Sequence, residues 1–168
     1  MKRPILYRAK RIDNNEWIEG FPYITATESY IINPETNGTF IAVRHDTLCQ
    51  YTGHTLSKGH KVFEGTVAFY EEERDHGDLR YYVICLWLEE FNMFTWLHMD
   101  EYRNYLKNGV SAIDEELMWT YGLDNSSSHH HAGNIFDQPE LIDMPDPFDL
   151  EYPLDLEDFD ENPETQNL

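Results

Sequence analysis

Three consecutive histidines are the residues whose type and spacing most directly suggest chemistry. His129, His130 and His131 follow three serines. Neutral imidazoles bind transition metals, and alternate residues of a strand share a face, so His129 and His131 are weak candidates for one metal ion. Neither Cys49 nor Cys85 belongs to a Cys/His pair at zinc-finger spacing. We therefore expect a polar loop that leads into a strand, with no metal and no cofactor.

Carboxylates and thiols could also support catalysis. The glutamates at 71–73 and 89–90 could act as acids or bases, but they lie at predicted strand ends in charged turns. Cys85 lies in an apolar segment and is expected in the core, while Cys49 would need a histidine close in space. The sequence has no Gly-rich phosphate loop, nucleophile elbow or His-Glu-x-x-His motif. We predict that the protein is not an enzyme, and a small metal-dependent hydrolase is the weakest alternative.

Net charge limits the kinds of partner. The 168 residues include 32 Asp and Glu against 12 Lys and Arg, a formal net charge of −20. Such a chain is repelled by phosphate backbones and anionic membrane surfaces, so neither nucleic-acid binding nor membrane binding is expected. No apolar stretch long enough for a transmembrane helix and no secretory signal is visible, and two cysteines cannot build a disulfide framework. These features favour the cytoplasm.

The acidic residues are concentrated at the C-terminal end. Residues 137–168 hold 12 Asp and Glu and no Lys or Arg, whereas residues 1–136 hold 20 acidic and 12 basic side chains. Prolines and mutual repulsion disfavour packing of this end. We therefore predict a folded body at 1–142 and a disordered, acidic, Pro-rich tail at 143–168.

The tail alternates apolar side chains with carboxylates, a pattern typical of segments that fold into a groove of a partner. The alternative is a solvated extension that covers an edge of the body. The predicted anchors are Phe148, Leu150, Tyr152, Leu154, Leu156 and Phe159.

Basic residues cluster near the N-terminus, at Lys2, Arg3, Arg8, Lys10 and Arg11. Lys and Arg often protect a strand edge from pairing, which is the favoured interpretation of this cluster. Binding to the acidic tail and contact with nucleic acid are the alternatives that the sequence leaves open.

Strand patterns dominate the body. Alternating segments at 5–9 and 17–20 flank a turn, and an Asn-Gly hairpin joins 29–32 to 40–43. One long strand is expected at 61–70 with a bulge at Gly65, and another at 79–88 that is covered on both faces. A strand is also expected at 93–97. A helix capped by Asp100 should end before Gly109, and a second, shorter helix is expected at 114–119.

Three segments in this order resemble the YopX family of phage and prophage proteins. They are Leu6–Ala9 with Trp17–Gly20, Asp46–Gly53 with Gly59–Val67, and Gly133–Leu141. Thr66 stands where the family usually has Asp, and residues 99–128 and those after Met144 resemble additions. The matching motif residues, interpreted as structural, are Arg8, Trp17, Gly20, Gln50, Thr52, Gly53, Glu64, Gly65, Gly133, Asn134 and Pro139.

The resemblance implies a small β-barrel-like domain encoded by a phage or prophage, and it brings no established catalytic residues. Together with the residue patterns, it predicts a mainly β (α+β) fold, an antiparallel barrel-like body with one or two short helices. We expect an accessory protein of the bacterial cytoplasm that binds another, basic protein. The alternative is an acidic DNA mimic that inhibits a nucleic-acid-binding or defence protein. Homo-oligomers are also compatible with free strand edges.

Overall fold

A computed structural model describes residues 4–73, 78–113 and 123–145. Within them the chain forms two antiparallel sheets and one α-helix. The first sheet has six strands in the order β4-β3-β2-β1-β5-β6. Their bounds are β1 Tyr7–Lys10, β2 Trp17–Ile24, β3 Ser29–Asn33, β4 Thr39–Val43, β5 Cys49–Thr55 and β6 Lys61–Phe63.

The hairpin between β3 and β4 has the connection that its sequence predicts. Pro34–Thr36 form a 3-10 turn, and Asn37 (φ 55°) and Gly38 (φ 73°) supply the left-handed backbone that Asn-Gly tolerates. The register pairs Ile31 with Ile41, which points both side chains to the same face. That face holds one apolar core of the sheet, formed by Ala9, Ile18, Ile31 and Val43.

The second sheet is covered on both of its faces, as its apolar strand at 79–88 predicts. Its strand order is β10-β7-β8-β9. One face, with Val67 and Ile84, packs under the helix; the other, with Val83 and Trp96, packs against residues of the first sheet's loops and of 123–128. The bounds are β7 Thr66–Glu72, β8 Leu79–Leu88, β9 Met93–His98 and β10 His130–Asn134.

The helix α1 spans Met99–Asn108 and follows β9 directly. The predicted cap at Asp100 is wrong: His98 is the capping position, and its backbone N–H donates to the Glu101 carboxylate at 2.9 Å. The predicted stop is confirmed at Gly109, whose φ of 70° ends the helix. The shorter helix predicted at 114–119 lies outside the described residues, as do the tail anchors from Phe148 to Phe159.

The expectation of one long strand at 61–70 is wrong, because a tight turn at Glu64 and Gly65 divides it. Gly65 has a φ of +76°, which favours glycine over residues that carry a Cβ. The half before the turn, β6, belongs to the first sheet, and the half after it, β7, belongs to the second. This turn is therefore the point at which the chain passes from one sheet to the other.

The mainly β class is confirmed, but the sheets do not close into a barrel. The first sheet curls until a single bridge joins Arg11 to Val43, and the backbone N–H of Ile12 donates to the carbonyl of Ala42 at 3.1 Å. One bridge leaves the rest of β4 as an edge. No helix within the described part of the chain is long and apolar enough to cross a membrane.

Replacing Gly65 with alanine should strain the turn and its packing together. A Cβ there would lie 2.6 Å from Cε2 of Phe136. We expect Gly65→Ala to lower the free energy of unfolding by about 2–4 kcal/mol, from the left-handed backbone and from overpacking. Urea denaturation followed by tryptophan fluorescence measures this change.

Gly59→Ala is the matched control for that variant. Gly59 has a similar φ, +79°, but a Cβ there would meet nothing within 4 Å. Its free energy of unfolding should fall only by the cost of placing alanine in a left-handed backbone, about 1 kcal/mol. Equal losses in the two variants would show that the contact with Phe136 contributes nothing.

Candidate functional site

Motif residues from distant parts of the sequence meet where the two sheets join. The guanidinium of Arg8 lies between two aromatic rings, with Cζ 4.7 Å from the ring centre of Trp17 and 4.5 Å from that of Phe63. Its Nη2 donates to the Thr66 hydroxyl at 3.4 Å. The same hydroxyl accepts the backbone N–H of Phe63 at 3.0 Å. We call Arg8, Trp17, Phe63, Glu64 and Thr66, with Cys49 beside them, the junction cluster.

Burial shifts the ionisable groups of the junction cluster toward their neutral forms. It lowers the pKa of Arg8, although Cys49 and nearby carboxylates oppose this. It raises the pKa of Cys49 to about 12 against the opposing charge of Arg8, and it raises the pKa of Glu64. Cys49 is therefore a thiol at neutral pH, and its Sγ–H donates to the Thr47 carbonyl. Such a thiol is a poor nucleophile.

A buried lysine fixes the loop after β10 to the first sheet. Lys10 is 6% exposed, and its Nζ forms an ion pair with Asp137. The Asp137 carboxylate also accepts hydrogen bonds from the indole of Trp17 and the amide of Asn134, each at 2.7 Å. Burial opposes ionisation of Asp137, but the hydrogen bonds and the Lys10 charge outweigh it and lower its pKa to about 2.

The N-terminal basic cluster is therefore not a solvated edge at Arg8 and Lys10. Both residues belong to β1, which lies inside the first sheet between β2 and β5. Their side chains point toward the loop that contains Phe136, whose ring meets that of Trp17 edge-on at 6.0 Å. They stabilise the junction between the sheets rather than protect an edge.

The remaining motif residues have structural positions. Gly20 lies where β2 meets β3, and a Cβ there would lie 2.3 Å from the carbonyl oxygen of Ile32. The Gln50 carbonyl accepts the backbone N–H of Glu64, and the Thr52 hydroxyl donates to the carbonyl of Val62. Gly53 and Gly133 lie at irregularities of register, and Pro139 begins the 3-10 helix Pro139–Asp143.

The two candidate metal ligands have separate surroundings. His129 is buried and stacks on Trp96 with ring centres 5.6 Å apart, whereas His131 is exposed and stacks on His60 at 4.9 Å. His130 stacks on Phe69. The described residues contain no group of three or more His, Cys, Asp or Glu that could hold a metal ion.

The other candidate groups make local contacts. Glu71 forms an ion pair with Arg80 on the neighbouring strand, and Glu89 lies in a 3-10 turn with Glu90. Cys85 is fully buried, and burial raises the pKa of its thiol. His45, a possible partner for Cys49 in sequence, is hydrogen-bonded through Nδ1 to the Ser29 hydroxyl at 2.8 Å.

An exposed aromatic face was not predicted from the sequence. β2 carries Trp17 toward the junction cluster, where it contacts Phe136 and Asp137 of the loop after β10. The same side of the strand continues beyond that contact through Phe21 and Tyr23. Tyr23 is 48% exposed and Phe40 is 54% exposed, with ring centres 5.2 Å apart in a T-shaped contact. We call the six residues that share this face the aromatic face: Phe21, Tyr23, Tyr30, Ile32, Phe40 and Ala42.

Register accounts for the aromatic face. Tyr23 pairs with Tyr30, and Phe40 pairs with Ile32, so their side chains lie on one side of three adjacent strands. Alternation at 29–32 and 40–43 is visible in the sequence, but which part of this side is exposed depends on where the loop after β10 packs. The face is the accessible candidate site, because the junction cluster is packed between aromatic rings.

Comparison with known protein families finds no family model that matches the chain, and no curated protein matches it significantly. The resemblance to the YopX family stays a prediction from its motif residues.

Replacing Asp137 with asparagine should leave the buried Lys10 without its counter-charge. Because the Asp137 side chain is 39% exposed, solvent moderates the loss, and we expect the free energy of unfolding to fall by about 2 kcal/mol near pH 6. The stabilisation by Asp137 is complete above its unfolded pKa of about 4 and is lost as the pH falls toward 2. The difference between the two proteins should shrink over that range.

Urea denaturation at several pH values measures this dependence. Asp46→Asn is the control, since the Asp46 side chain is 67% exposed in its ion pair with Arg44. That variant should change stability by no more than about 0.5 kcal/mol. A loss at Asp137 that stays constant between pH 6 and pH 2.5 would contradict the role of the ion pair.

Proposed function

We propose that this protein is a non-catalytic accessory protein, encoded by a phage or prophage, that acts in the bacterial cytoplasm by binding another protein. The aromatic face is the observation that carries the proposal. A contiguous set of exposed, large apolar side chains is typical of interaction sites, and aromatic residues contribute much of the binding energy at such sites. The motif resemblance supports the phage or prophage origin.

The packing of the junction cluster supports a binding role over a catalytic one. The Arg8 guanidinium lies between the rings of Trp17 and Phe63, and Lys10 forms an ion pair with Asp137. Cys49 is protonated at neutral pH because its pKa is about 12. The charged and thiol groups at the junction therefore serve contacts within the chain.

A basic partner suits the charge of the chain. The formal net charge is −20, which steers a cationic surface toward the protein. Some carboxylates of the body are already compensated, since Glu19, Asp46 and Glu71 pair with Lys61, Arg44 and Arg80. Local pairing of carboxylates favours binding through the aromatic face over a DNA mimic, which needs carboxylates free to replace phosphates.

Site-specific crosslinking tests the role of the aromatic face. A benzophenone amino acid at position 40 should crosslink to a bacterial protein in lysate, identified by mass spectrometry. The same group at position 106 is the control, because Leu106 is 58% exposed on α1, away from the face. Identical products from both positions, or none from position 40, would contradict the proposal.

Substitution of the face gives a second measurement with the partner so identified. Tyr23→Ser with Phe40→Ser should weaken its binding by at least about tenfold, because exposed aromatic anchors supply much of the binding energy. Leu106→Ser should leave binding unchanged. Thermal unfolding of each variant shows whether the fold is preserved, and unchanged affinity in a folded double variant would refute the role of the face.

Deletion of residues 146–168 tests the contribution predicted for the acidic tail. It leaves the contacts of Arg103 with the carbonyls of Ile142 and Met144 in place. If the tail residues anchor the partner, its recovery in a pull-down should fall sharply. Unchanged recovery would assign binding to the body alone.

A further inference from the structure

The edge of β4 differs from the other edges of the two sheets. β6 is three residues long, and its Lys61 pairs with Glu19. β9 is buried over most of its length, and β10 begins with two histidines whose rings stack on neighbours. β4 has the sequence Thr-Phe-Ile-Ala-Val, with no charge and no proline. Proteins usually protect such an edge, so an unprotected one suggests strand addition.

The edge is occupied at one end and open at the other. The carbonyl of Ala42 accepts the N–H of Ile12, and the N–H of Arg44 donates to the carbonyl of Lys10. Backbone groups of alternate residues face the same edge, so the N–H and carbonyl of Phe40 point the same way as those of Ala42. The chain turns away after Ile12, and no other described strand pairs with this part of the edge.

A groove runs along this open part of the edge. Its volume is about 340 Å³. The exposed side chains of Ile12 and Phe40 give it apolar walls, and Phe40 also belongs to the aromatic face. It is lined by Arg11, Ile12, Asp13, Phe40, Ile41 and Ala42.

We propose that the groove accepts an extended segment of a protein partner, which adds as a strand to the free edge of β4. The segment alternates apolar side chains, which pack on Phe40 and Ile12, with lysine or arginine side chains. This inference rests on the proposed function and specifies how the partner binds. Backbone hydrogen bonds supply affinity in this mode of recognition, and alternate side chains supply specificity.

Charge around the groove selects a cationic segment. Arg11 and Arg44, the cations nearest to β4, are already paired with Asp13 and Asp46. Glu28 and Glu35 are exposed next to the ends of β3. Glu28 accepts a hydrogen bond from the Tyr30 hydroxyl at 2.7 Å, and neither carboxylate forms an ion pair with a lysine or arginine of the described residues. A lysine or arginine near these carboxylates would gain favourable electrostatic energy.

The same charges disfavour the other occupants. Residues 146–168 contain nine Asp and Glu and no Lys or Arg, so this segment is repelled by the carboxylates beside β3. A second copy of the chain carries the same net charge of −20. A partner with positive charge is therefore favoured over the chain's own tail and over a dimer.

Short synthetic peptides test both parts of the proposal. The probe alternates valine and lysine. One comparison peptide replaces lysine with glutamate, and another carries N-methyl groups on alternate amides so that one edge cannot donate hydrogen bonds. Titration of the ¹⁵N-labelled full chain should shift the amide signals of Thr39 and Phe40 with the valine–lysine peptide. Loss of two backbone hydrogen bonds should weaken binding of the N-methylated peptide roughly tenfold or more. The glutamate peptide should bind no more tightly than the N-methylated peptide.

Phe40→Ser should also weaken binding of the valine–lysine peptide, while Leu106→Ser should not. Equal binding of the N-methylated peptide would overturn strand addition, and equal binding of the glutamate peptide would overturn the charge preference. Absence of any shift at Phe40 with millimolar peptide would overturn the site. Tighter peptide binding after deletion of 146–168 would assign the groove to the tail instead. Concentration-dependent dimerisation through β4 would assign it to a second copy.

These results are distinguishable from failure of the proposed function. A protein crosslinked at position 40, together with peptides that do not bind, would retain protein binding and reject strand addition. Peptide binding with no protein crosslinked at position 40 would retain strand addition at β4 and reject the proposed binding of a bacterial protein.

Discussion

The constraint on which the structure depends is that β1 carries two cations into the junction between the sheets. A buried cation is unstable unless another group compensates its charge. The charge of Arg8 is compensated by two aromatic rings and the Thr66 hydroxyl, and the charge of Lys10 is compensated by Asp137. Thr66 and Asp137 lie far from β1 in the sequence, so separation of the sheets would break the contacts that stabilise both cations.

This arrangement also determines which part of the first sheet is covered. The loop after β10 covers the side of the first sheet that carries Lys10 and Trp17, because Asp137 binds both side chains. The cover ends there, and the same side of β2 continues into Phe21 and Tyr23, both exposed, with no second layer above them among the described residues. The compensation of two charges thus divides one side of the first sheet into a covered part, which packs against the loop after β10, and an exposed part, which is the aromatic face of the proposed binding site.

The sequence predicted those features that depend on local residue types. The hairpin at Asn37 and Gly38, the strand Leu79–Leu88 and the end of α1 at Gly109 are each determined within a few residues. It did not predict the division of the strand at 61–70, since a Glu-Gly pair is compatible with a bulge or with a turn between sheets. The turn is in contact with residues distant in sequence: Phe136 lies close to Gly65, and the backbone N–H of Ile135 donates to the Gly65 carbonyl at 3.1 Å.

The candidate site was harder to predict, because exposure depends on what covers a strand. The alternation that places Tyr23 beside Phe40 is local, but their exposure depends on where the loop after β10, distant in sequence, packs on the first sheet. Arg8, Trp17 and Glu64 were interpreted from the sequence as structural motif residues, but no pattern placed them together, and none indicated the aromatic face.

The acidity of the chain and the open edge of β4 are parts of one physical problem. An apolar edge without charges favours pairing with any extended chain, including a second copy. Repulsion between molecules that each carry a net charge of −20 opposes self-association at long range, although salt reduces its range to about 10 Å at 0.1 M ionic strength. A cationic segment is attracted by the same field. Net charge can therefore oppose pairing of the apolar edge with a second copy of the chain, while it leaves that edge accessible to the proposed basic partner.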